Sequence, residues 1–148
     1  MKKLLPLIVG LVALLAGAGG GYMLRPQAET VAEPPPEENT VPPDYVKLNN
    51  QFVVPVLDKG RVVSMVILSL SLEVVTGTTE RVYEIEPKLR DAFLQVLFDH
   101  SNTGGFRGSF TDGANLVVLR KALLESAQSI LDDKVSDVLI VEIVRQDS

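Results

Sequence analysis

Few residues of the chain are of types that do chemistry. His100 is the only histidine and there is no cysteine, so thiolate ligands, cysteine nucleophiles, disulfides and acylation at a cleavage-site cysteine are excluded. A lone histidine at the end of an apolar helical stretch has nothing beside it to complete a metal site. It reads instead as a helix-terminal residue near the negative end of the dipole. "GGFRGS" is glycine-rich but lacks the spacing and lysine of a phosphate-binding loop and does not follow a strand. Gly104, Gly105 and Gly108 therefore read as turn glycines. Glu84 with Glu86, and Asp132 with Asp133, are the closest approach to paired carboxylates, and no nucleophile or base stands with them. Ser64, Ser69 and Ser71 recur on one strand and read as its polar face. No catalytic residue, metal ligand or cofactor-binding residue is expected, and the chain is not expected to be an enzyme.

The elements that carry these residues are legible from periodicity. "KLNNQFVVPVLD" alternates through Leu48, Phe52, Val54 and Val56 as a first strand, with Pro55 marking an edge or a break in pairing. After "DKG", the run "RVVSMVILSLSLEVV" sets Val62, Val66, Leu68, Leu70, Leu72 and Val74 on one face, with Ser69, Ser71 and Glu73 opposite, and predicts a hairpin with the first strand. From Pro87 the period lengthens to that of a helix: Leu89, Phe93, Val96 and Leu97 face one way, and Lys88, Arg90, Asp91 and Gln95 face away. "SNTGGFRGSFTDG" ends that helix. A second begins near Asp112 as N-cap and carries Leu116, Leu119, Leu123, Ala127 and Ile130 at steps of three and four. "VSDVLIVEIVRQ" returns as a strand. The order β-β-α-α-β predicts an α+β domain, helices on one face of an antiparallel sheet.

This domain, residues 45–148, follows two other segments. Residues Leu4 to Leu24 are uncharged, and at about 1.5 Å per residue they reach roughly 31 Å, enough to cross a bilayer core. Lys2 and Lys3 precede them. Beyond, Arg25 stands before Glu29, Glu33, Glu37 and Glu38, so residues 1–24 are expected to form a cytoplasmic tip and a transmembrane helix with the rest outside. Ala16 and Ala18 also allow a cleavable signal peptide, but the apolar run continues through Tyr22, Met23 and Leu24 to Arg25 and Pro26, which favours an anchor. Ala13, Gly17 and Gly21 fall four apart and form a candidate helix-packing face. Residues 25–44 hold six of the nine prolines and five acids, the composition of an extended linker reaching up to ~60 Å.

The formal charge of −5 has no basic cluster, so nucleic acid is not an expected partner. The 148-residue length leaves room for one compact core.

The ordered set "YVKLNNQFVVPVLDKGRVVSMVILSLSLEV", "IEPKLRDAFLQVLF" and "VSDVLIVEIVRQ" resembles the FliL family of flagellar basal-body-associated proteins. The matching features are the tyrosine and "fvv" strand, the helix with Pro87, Leu89, Arg90 and Asp91, and a closing strand that ends in Gln146. The glycine-rich connection is longer than the family's. The resemblance implies one inner-membrane helix and a periplasmic domain similar to SPFH (stomatin-like) domains. It also implies assembly into a homo-oligomeric ring and association with stator units in flagellar rotation, motility and chemotaxis. Lys88, Arg90, Asp91 and Gln95 are then the candidate assembly surface. The alternatives are a tethered periplasmic binding or assembly module of another envelope complex, and a signal-cleaved soluble periplasmic protein.

Overall fold

A computed structural model of the protein describes residues 41–148. The expected membrane helix, with Ala13, Gly17 and Gly21, and most of the expected linker lie outside the described residues. Among the described residues no helix is long and apolar enough to cross a membrane.

The elements run β1 (Asp44–Lys47), β2 (Phe52–Asp58), β3 (Arg61–Val74), α1 (Thr79–Glu84), α2 (Glu86–Asn102), α3 (Gly113–Leu131), a short 3₁₀ turn (Asp132–Lys134) and β4 (Val135–Asp147). The architecture is α+β, with an entirely antiparallel sheet. β3 is its axis. Its two halves pair on one side with β2 and β1, placed end to end, and along the other side with β4 for nearly its whole length. The hairpin between β2 and β3 closes on Lys59 and Gly60, both with positive φ, the two-residue turn that matches strand twist.

Alternation along β3 explains the core. Val66, Leu68, Leu70, Leu72 and Val74 are fully buried, as are Phe52, Val54 and Val56 of β2. Against this face pack Leu89, Phe93 and Leu97 of α2 and Leu119, Leu123 and Ala127 of α3, also buried. Each such side chain contributes about 1.5–3 kcal/mol by leaving water. Pro87 sits in the first turn of α2, where its missing N–H would have had no helical partner. Asp112 caps α3 by accepting the Ala114 amide at 2.9 Å.

The structure corrects the sequence expectations at several points. The expected first strand is two strands, because Asn49 to Gln51 turn between Lys47 and Phe52 and Asn50 takes a positive φ of 60°. α1 was not expected. A bulge between Val56 and Leu57 shifts the register, so Val62 is 48% exposed rather than on the core face. Ser64 is buried beside Val56 and shares the parity of Val66 and Leu68, so it lies on the helix side, opposite to Ser69 and Ser71.

Candidate functional site

The chemistry-bearing residues do not converge. Glu84 pairs with Arg81 at 3.1 Å on α1. Glu86 accepts from the Asn49 amide at 2.8 Å and from Asn49 Nδ2 at 2.7 Å, clamping the β1–β2 turn to the start of α2. The two expected carboxylate partners therefore serve different local contacts. Among the described residues no group of three or more histidines, acids or cysteines is placed to hold a metal ion.

His100 is set against the glycine-rich loop. Its ring meets Phe106 edge-on at 4.8 Å, and its Nε2 is buried without a hydrogen-bond partner. Burial pushes its pKa below the usual histidine value, because a charged imidazolium would lose hydration there. The favourable dipole contact expected of a cationic helix-terminal histidine is thus weakened, and the neutral ring acts as a packing element. Gly105 belongs to this contact: a Cβ there would stand 2.3 Å from His100 Nε2. Gly104 and Gly108 hold positive φ values of 89° and 54°, as turn glycines do.

The loop from Thr103 to Asp112 is a built part of the domain. Phe106 is fully buried. Asn115 Nδ2 donates to the carbonyls of Gly105 and Phe110, each at 2.8 Å. Arg145 of β4 stacks over Phe110 at 4.8 Å and donates to the Gly108 carbonyl at 3.1 Å. Arg107 donates to the Leu57 carbonyl at 2.7 Å. A cleft of about 470 Å³ opens between Val56, Ser64, Phe106 and these two arginines. Both guanidiniums are already engaged, Arg145 also with Asp147 at 3.1 Å, so the cleft is poorly suited to receiving an anion.

On α2 the four residues expected to face outward divide. Lys88, Asp91 and Gln95 are exposed. Arg90 is not free. Its guanidinium lies 4.3 Å from the centre of the Phe52 ring and donates to the carbonyls of Asn49 at 2.9 Å, Asn50 at 3.3 Å and Gln51 at 2.6 Å. The expectation that Arg90 faces away is corrected: it ties α2 to the turn between β1 and β2. An arginine at a polar helix position carries no sequence signal of the loop it will reach.

The domain also exposes apolar surface. The face of the sheet away from the helices carries a row of Val53, Ile67 and Val144 in register, with Val53 and Val144 47% and 43% exposed. Toward one end lies Tyr45, whose phenol is held above its ordinary pKa by a hydrogen bond to Glu73 and by that carboxylate's charge. Ser136 Oγ donates to the same carboxylate at 2.6 Å.

Residues 45–146 match the family model described as flagellar basal body-associated protein FliL. The match covers more than half of the chain, and the chain belongs to that family. No curated protein matches it.

Proposed function

We propose that this member of the FliL family is a non-enzymatic accessory of the flagellar motor, held in the bacterial inner membrane by its N-terminal segment with residues 45–148 in the periplasm. There it assembles with further copies and supports the stator units that drive rotation, and through them motility and chemotaxis. Family membership brings the chain to the flagellar basal body. The observation that carries the rest is the character of the domain. Its polar side chains are used in holding loops to strands, as with Glu86, Arg90 and Arg145, while apolar side chains remain on the open sheet face. Such a domain acts by what it touches.

Lys88, Asp91 and Gln95 remain the proposed contact residues on α2. The Ala13, Gly17 and Gly21 face is proposed to pack membrane helices against one another, and the sheet with two helices on one side supports a stomatin-like role. The reading is tested by deleting the gene and measuring swimming in media of rising viscosity. Flagella are expected to remain while speed falls most at high load. Speed unchanged at every viscosity would contradict the role.

A further inference from the structure

The glycine-rich loop, Thr103 to Asp112, is fastened to the domain by two kinds of contact. One kind is polar and does not titrate near neutral pH: Arg107 holds the Leu57 carbonyl, Arg145 the Gly108 carbonyl, and Asn115 the carbonyls of Gly105 and Phe110. The other kind is the seat of Phe106, the one buried residue between Thr103 and Asp112. Its ring rests edge-on against that of His100. The His100 ring in turn fills the space that Gly105 leaves by having no Cβ, since a Cβ there would stand 2.3 Å from Nε2 and 2.5 Å from both Cδ2 and Cε1. Nε2 is thus turned at the backbone of the loop, where it is buried and has no hydrogen-bond partner.

A charged ring finds no compensation in that seat. His100 forms no ion pair among the described residues. Its groove is lined by Val96, Asp99 and Thr103 of its own side and by Val118 and Ala122 of α3, so α2 brings Asp99 there and α3 brings no charge. The loop's own charged side chains are engaged elsewhere, Arg107 on Leu57 and Asp112 on the Ala114 amide. From β4, Arg145 reaches the Phe106 carbonyl at 3.3 Å and is paired with Asp147. We propose that His100 is a pH-sensitive latch on the glycine-rich loop: neutral, it seats Gly105 and Phe106, and protonated, it releases them, so that the segment from Gly104 to Phe110 opens while the sheet and the two long helices stay folded.

The sign follows from where the ring meets water. In the opened loop the imidazole is hydrated and binds its proton with ordinary affinity, whereas burial in the closed loop holds its pKa below 6.5. The closed loop is therefore fully favoured above that value and loses ground as pH falls through 6.5 toward the folded pKa. Opening is local because the loop buries one large side chain, while α2 and α3 are held by Leu89, Phe93, Leu97, Leu119 and Leu123. It also has a consequence on the loop's other side. Phe106, Arg107 and Gly108 form a wall of the cleft beside Val56 and Ser64, so release of the loop widens that cleft and frees Arg107 from Leu57. The latch concerns the domain and holds independently of the flagellar reading.

His100 is the only histidine, so its ring resonance titrates alone. In the full chain in lipid nanodiscs, that resonance and the hydrogen exchange of the Gly105 and Arg107 amides, which bond to the His100 and Gly104 carbonyls, are followed from pH 7.5 to pH 5.0, with exchange corrected for its intrinsic dependence on pH. The resonance is expected to titrate below 6.5, loop protection to fall over the same interval, and β3 amides to keep theirs. By linkage the loss of loop protection is about tenfold for each pH unit that separates the folded pKa from the ordinary one. His100→Gln, which takes up no proton, is expected to give loop protection that is the same at both ends of the range. Three results would overturn the proposal: a ring that titrates while loop protection holds, so that the imidazole swings out alone; loop and β3 amides losing protection together; or the same loss in His100→Gln. The first two are read on the natural chain and do not depend on how the variant folds.

Discussion

The two edges of the sheet are finished in different ways. Along β1 and β2, Pro55 has no amide to offer, and its carbonyl accepts from Ser101 of α2 at 2.9 Å. Arg107 takes the Leu57 carbonyl at 2.7 Å, and Arg90 takes three carbonyls of the intervening turn. A serine and two arginines, two of them from one helix, thus occupy acceptors that an incoming strand would need. Along β4 the comparable device among the described residues is Asp137 on the Val138 amide. Side chains thus close the β1–β2 edge against a further strand, and among the described residues the β4 edge has fewer such contacts.

The largest way to break the closed side is to remove its anchor. Phe93 is fully buried and packs on Phe52 with ring centres 6.3 Å apart. Phe93→Ala is expected to cost ~3–5 kcal/mol, which a denaturant titration of the isolated variant and its level in the cell both report. A smaller effect sharpens the contrast along α2. Arg90→Glu removes the charged hydrogen bonds and the contact over Phe52 and leaves the Gln51 region without its donors, a loss of about 1.5–3 kcal/mol. Lys88→Glu on the exposed side of the same helix is expected to stay within about 0.5 kcal/mol. Equal melting temperatures for these two variants would remove Arg90 from the closed edge.

The smallest expected effect is that of pH. His100 has a folded pKa below its ordinary value of 6.5, so the unfolded chain takes up its proton first as pH falls. The histidine thus leaves stability level above the ordinary histidine range and lowers it as pH drops through 6.5 toward the folded pKa. Melting temperatures between pH 7.5 and pH 5.5 are expected to decline less in His100→Gln than in the natural chain. Identical slopes would contradict the burial of this ring.

How much of this was legible in the residues depends on how local each cause is. The alternation of β3 from Val66 to Val74 and the helical steps of Leu119, Leu123 and Ala127 carry their own period, and these residues are buried as read. Asp112 is likewise a local signal with a local partner. The break between β1 and β2 was hidden because Leu48 and Phe52 keep the same parity on either side of the turn, and both are buried. α1 buries only Val82 in its six residues, too little apolar repetition to announce a helix. Arg90 and His100 take their roles from partners distant in sequence or from burial in a loop, and side-chain type does not encode either. Ser64 differs: its parity with Val66 was there to be read, and only its hydroxyl argued for the polar face.

The central claim is that a domain built for contact, and not for chemistry, supports the rotation of the flagellar motor. It is tested most directly by the torque of single motors, measured from beads on flagellar stubs across a range of loads, in cells lacking the gene and in the same cells given back the intact chain. The account predicts unchanged numbers of flagella, reduced torque at high load and recovery with the intact chain. Torque equal to that of the parent cells at every load would contradict it.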